Sequence, residues 1–115
     1  MIVKVKRIYD RYEKSDGYRI LVDRLWPRGV SRDQARIDLW MKDVAPTTEL
    51  RKWFNHEEKR WSGFISKYRA ELNSSRDFDT LLSLVDEHKT VTLLYSAKDE
   101  QHNQAMALKG FIDNG

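Results

Sequence analysis

Two stretches of the chain are apolar at consecutive positions: Ile20-Leu21-Val22, within residues 19–25, and Val91 to Tyr95, broken only by Thr92, within residues 90–96. A strand with one wet face alternates apolar and polar side chains. A continuous apolar run is the mark of a strand covered on both faces, the condition of a parallel sheet under helices. Residues 2–8 do alternate, valine and isoleucine with lysine and arginine, and predict a third strand with one wetted face. Ile37, Leu39 and Met41 alternate with Asp38 and Trp40, which predicts a further short strand, with a helix continued from Ser31 as the rival reading. Pro27 and Gly29 end the second strand, because proline cannot donate to a ladder and glycine permits a sharp turn. Asp16-Gly17 is a turn signal, and whether strands 1 and 2 pair antiparallel across it is left open.

The helical periodicities lie elsewhere. Ser31, with Gln34 three residues on, has the spacing of a capping box over a short helical turn. Ala45-Pro46 stops whatever precedes it. Thr47 or Thr48 caps a short helix carrying Leu50, Trp53 and Phe54. Over residues 57–72, Trp61, Phe64, Ile65, Tyr68 and Leu72 fall on one stripe at helical spacing. Phe78, Leu81, Leu82 and Val85 do the same over residues 77–88, and Ala105, Leu108, Phe111 and Ile112 form the apolar side of a final helix. The expected fold is α/β: a small, mainly parallel sheet of three to four strands flanked by helices.

At 115 residues the chain fits a single α/β domain, residues 1–115, with one core. It has no cysteine, which removes disulfides, thiolate zinc sites and a cysteine nucleophile. The charged, alternating N-terminus is neither the h-region of a signal peptide nor a membrane span. The expectation is a cytoplasmic protein without a membrane partner. The 21 Lys/Arg and 18 Asp/Glu are interspersed, with no basic run of the kind found in nucleic-acid arms. One local asymmetry remains: residues 24–36 hold four arginines and one aspartate, a field that favours an anion.

Open α/β sheets bind ligands beyond the carboxyl ends of their strands. Two polar segments fall at such ends here, Asp23 to Arg28 and Ser96 to Asn103. Arg24 and Arg28 are rigid donor forks suited to phosphate or carboxylate, and Trp26 is a stacking wall. The competing reading pairs Asp23 with Arg24 to fix the strand end and places Trp26 in the core. Arg51, read as near a helix start, is not placed to suit the helix dipole and so is directed at a ligand or an acid; Trp53 is the second expected wall. His56 is a weaker acid/base candidate, balanced by the reading of a helix C-terminal histidine meeting free carbonyls. Asp23, Asp99 and His102 are the acid/base candidates, with Asp99 as N-cap of the last helix the alternative. Ser96 lacks the nucleophile-elbow pattern. His56-Glu57-Glu58 is followed by Arg60 where H-E-x-x-H needs a histidine, so no metal is expected, and no glycine-rich dinucleotide or P-loop motif calls for a cofactor.

Four ordered segments carry a resemblance: V-D-R-L-W-P-R-G-V-S (Val22 to Ser31), A-P-T-T-E-L-R-K-W-F-N-H (Ala45 to His56), W-x-x-F-x-x-K-Y-R-A-E-L (Trp61 to Leu72) and V-T-L-L-Y-S-A-K-D-E-x-x-N-x-A (Val91 to Ala105). Together they resemble the YeaO-like branch of a bacterial domain family of unknown function. The resemblance implies a small cytoplasmic α/β protein. In the wider superfamily the strand equivalent to Leu93-Leu94-Tyr95 often carries a cysteine, and this chain has Tyr95, so thiol chemistry does not carry over. The functional expectation is an Arg/Trp-lined anion pocket for a small phosphorylated or carboxylated molecule, with enzymatic turnover left open. The alternative is a nucleic-acid- or protein-binding regulatory module using the same basic surface.

Overall fold

The computed structural model describes residues 1–114. Four strands, β1 (Ile2–Arg7), β2 (Tyr18–Leu21), β3 (Leu39–Trp40) and β4 (Thr90–Tyr95), form one parallel sheet in the order β1-β4-β2-β3. The last strand is therefore internal. Its apolar run has the expected consequence: Val91, Leu93 and Tyr95 enter the main core, while Leu94 enters a smaller core on the opposite face. β1 and β2 do not meet, because β4 lies between them. The Asp16-Gly17 turn makes no hairpin; it lets the chain pass against the start of β4. Gly17 has φ 68°, and a Cβ there would overlap the Thr90 carbonyl oxygen, so only glycine fits.

Helices α2 (Thr48–Phe54), α3 (Trp61–Leu72), α4 (Arg76–Glu87) and α5 (Gln104–Asn114) contribute to the main core with Ile20 and Val22. The α3 stripe predicted from spacing is inward-facing at Phe64, Tyr68 and Leu72, and the Tyr68 hydroxyl donates to the Val44 carbonyl at 2.6 Å. α3 starts at Trp61 rather than near residue 57. His56 stands at φ 54°, and a 3-10 turn over Glu58–Arg60 intervenes, which a hydrophobic stripe does not reveal. Among the described residues, the opposite face of the sheet carries the four-residue α1 (Arg32–Ala35), capped at its start by the Ser31–Gln34 capping box, and the small cluster of Ile8, Leu21, Ala35 and Leu94 beneath Trp26 and Trp40. The helices are thus concentrated on one side.

β2 is shorter than the strand expected over residues 19–25. The Val22 N–H still donates to Leu94 O at 3.0 Å; one residue on, the Asp23 carbonyl is taken by the Trp40 indole N–H at 2.7 Å. That side-chain bond ends the ladder and turns the chain out of the sheet at the carboxyl edge. Near the opposite end, Arg19 is 2% exposed. Its guanidinium donates to Asp16 Oδ2 at 2.5 Å and to the carbonyls of Ala35 and Arg36 at 2.9 and 3.0 Å. Lys6 also reaches Asp16 at 3.1 Å. Among the described residues no buried side-chain nitrogen or oxygen lacks a hydrogen-bond partner, as a low-dielectric interior requires.

Candidate functional site at the carboxyl edge of the sheet

Where β2 and β4 end side by side, the chain leaves the sheet in two loops. Between these loops and α2 lies a cavity of about 550 Å³, within the roughly 300–1,000 Å³ range of small-molecule sites. Its apolar lining includes Pro27, Pro46, Phe54, Phe64 and Ala97. Its charged lining is unequal: Arg24, Arg28, Arg51 and Lys52 against the single carboxylate of Asp23, with His56 and His102 also on the wall.

Asp23 is 7% exposed. Its Oδ2 accepts the Ser96 N–H at 3.0 Å, and its Oδ1 accepts the Gln104 side-chain amide. Burial pushes its pKa up; Ser96, the charge of Arg51 and Gln104 pull it back without cancelling the rise. Among the described residues no cation lies within 4 Å of it, so neither the competing reading's pair with Arg24 nor a direct hold on another arginine is present. For a carboxyl group raised in the folded state, the stability linked to its protonation is complete below its unfolded pKa and is lost as pH rises through the folded value. Relative to Asp23→Asn, the wild type should therefore gain stability as pH falls from neutral towards about 4. Denaturant midpoints of both proteins across that range check this; a flat or opposite difference contradicts it.

The arginines divide. Arg24 donates to the carbonyls of Ala45 and Pro46 at 3.0 and 3.3 Å and stands 3.9 Å from Asp43, so it largely ties the strand end to the loop before α2. Arg51 lies in the last turn of the seven-residue α2, not near its start. A cation suits the dipole there, and the expectation of a misplaced charge was wrong because in a helix of seven residues the fourth position already falls in the last turn. Arg28 and Arg51 are both exposed, and among the described residues neither has a carboxylate within 4 Å. Trp26 borders the cavity but spends its indole N–H on Val30 O at 2.7 Å and packs edge-on to Trp40, with Arg32 over its ring at 4.2 Å. It belongs mainly to the small core. Trp53 is not brought to the cavity. It packs over Gly63 of α3, with Arg60 and Lys67 against its ring.

His102 does reach the wall. Its Nδ1 is 3.0 Å from Asp99 Oδ2, its Nε2 is 3.9 Å from Glu58, and Trp61 meets the ring edge-on. Asp99 stands behind His102 rather than in the cavity. Hydrogen bonds from the Gln101 and His102 amides outweigh a small burial cost and hold its carboxyl below the usual range. It is not the cap of α5. Asn103 is, accepting the Met106 N–H at 2.9 Å. Sequence reasoning missed Gln104, which positions Asp23, and Arg7, which donates to the carbonyls of Ser96 and Ala97 at 3.1 and 2.9 Å and fixes the β4–α5 loop. A polar residue opening a helix next to a strand end is the only signal Gln104 offered. His56 and Lys52 share the wall, the former by its left-handed backbone.

Fold and site together define a class: an α/β protein with an open parallel sheet and a cation-rich cavity at the strand ends. The chain belongs to the DUF488-N3i family, described as the inactive DUF488-N3 subclade, which matches residues 2–115. The uncharacterised protein YeaO of Escherichia coli K12 is 43% identical over 112 residues, 97% of each chain. An uncharacterised protein of Mycobacterium tuberculosis, Rv3073c, is 47% identical over 73 residues, 64% of this chain and 62% of that protein. The YeaO-like resemblance of the four segments is thus borne out. No solved structure matches. No described helix is long and apolar enough to cross a membrane.

Proposed function

We propose that this protein, as a single α/β domain of the cytoplasm, binds a small phosphorylated or carboxylated molecule in the cavity at the carboxyl edge of its sheet. The observation that carries the reading is the pair Arg28 and Arg51: both border the cavity, and both lack a carboxylate within 4 Å among the described residues. A guanidinium presented without a partner beside a half-open, partly apolar space offers a charge-assisted fork to an anion. Lys52 adds a third cation, and Arg24 holds the wall in place.

Binding without turnover is the form of function best supported. Asp23 is held by two donors, and Asp99 stands outside the cavity. A family described as inactive fits a site that retains its ligand rather than transforming it. The basic residues of the opposite face favour a nucleic-acid reading less. Arg32 and Lys42 lie on the rings of Trp26 and Trp40, and Arg36 lies on Tyr12, so those rings are already covered. Calorimetric titration with inorganic phosphate, pyrophosphate and citrate tests the reading. Saturable binding at one site per chain is expected, with stabilisation of about 2.7 kcal/mol at 100 times the dissociation constant. Absence of binding by all three at millimolar concentration would overturn it.

A further inference from the structure

The cavity is not uniformly basic, and the exception is a buried carboxylate, that of Asp23. Exposed cations stand at its border, whereas Asp23 is 7% exposed at the ends of β2 and β4. A buried carboxylate is ordinarily matched by a cation. Here its partners are the neutral amides of Ser96 and Gln104, one to each oxygen, so each oxygen keeps acceptor capacity. Arg51 lowers the carboxyl pKa from a distance without overcoming burial. An anion alone would satisfy Arg28 and Arg51 and leave Asp23 opposed to it.

Resting on the anion-binding reading above, we infer that the ligand is bifunctional: its anionic group meets Arg28 and Arg51, and an ammonium group at its other end meets Asp23. The ligand class is therefore amino-bearing organic anions, compounds with one acidic and one basic terminus. Neutralising a cavity carboxylate inside low-dielectric walls favours such a molecule over an isosteric anion without the amine.

The test uses two probes of nearly equal size, O-phosphoethanolamine and ethyl phosphate, titrated into the intact protein. Phosphoethanolamine should bind about ten-fold or more tightly, the value of one charge-assisted hydrogen bond. Asp23→Asn should weaken phosphoethanolamine and strengthen ethyl phosphate, because the repelling charge is gone. Equal binding of the two probes by the wild type, or tighter binding of ethyl phosphate, overturns the inference and leaves the anion site standing. Persistence of the preference in Asp23→Asn also overturns it. Binding of neither probe removes the anion reading and this inference together. The wild-type comparison is decisive even if the variant does not fold.

Discussion

Replacing Arg19 by methionine is expected to destabilise the fold by about 3–5 kcal/mol, lowering the melting temperature by on the order of 15 °C for a chain of this size. The reason is what remains. The guanidinium is 2% exposed and satisfies Asp16 and the carbonyls of Ala35 and Arg36. Without it, Asp16 keeps only Lys6 and the Glu13 amide as partners for a buried charge, and two carbonyls lose their donor. Removing one member of a buried pair costs more than removing both. The double variant Asp16→Asn/Arg19→Met should therefore be less destabilised than the sum of the single changes. Chemical denaturation of the four proteins measures this coupling. A cost below about 1 kcal/mol for Arg19→Met, the level of an exposed pair, would show that the network is not structural.

The same network sets a pH limit. Burial raises the Asp16 pKa, but the Glu13 amide, Lys6 and Arg19 lower it more, and the net shift is downward. A carboxylate lowered in the folded state contributes stability above its unfolded pKa and loses it as pH falls through the folded value. Asp16 and Asp23 thus act in opposite directions in acid, which is why the Asp23 effect is read as a difference from Asp23→Asn.

The second large effect concerns binding. Arg51→Ala is expected to weaken phosphate or citrate about 10- to 100-fold, the loss of one charge-assisted hydrogen bond of 1.5–3 kcal/mol, with little change in folding stability because the side chain is exposed and has no carboxylate partner within 4 Å among the described residues. Arg28→Ala should behave alike. Arg76→Ala, at the exposed start of α4, removes the same unit charge away from the cavity and should leave affinity nearly unchanged. Equal losses for all three changes would mean that net charge, rather than this cavity, attracts the anion.

What the sequence made legible followed from short-range rules. The continuous apolar runs marked β2 and β4 as covered on both faces. The alternation of residues 2–8 placed Val3 and Val5 against the core and left Lys4 and Lys6 to the polar side. Ser31, Thr47 and the α3 stripe announced their helices. Strand order was not legible, because nothing in residues 90–95 says they insert between β1 and β2. The site was half legible. Asp23, Arg28 and His102 line one cavity because they lie in the loops that leave the carboxyl ends of β2 and β4, a topological rule, whereas Arg51 reaches it from α2. Trp53 was misassigned, because a tryptophan on a short amphipathic helix has two faces to choose between and Gly63 opens a seat for it on α3. Asp99 was misassigned because two capping residues, Asp99 and Asn103, lie one helical turn apart. Arg19 escaped notice altogether: an arginine before an apolar run reads as a strand border, and only the fold reveals it as the polar centre of the second face.

The most direct test of the anion cavity is to follow backbone amide resonances while inorganic phosphate is added to the native protein. Saturable shifts clustered at Arg28, Arg51, Lys52, Ser96, His102 and Gln104 are expected. Shifts confined to Arg32, Arg36 and Lys42 on the opposite face, or scattered over all basic residues without saturation, would contradict it.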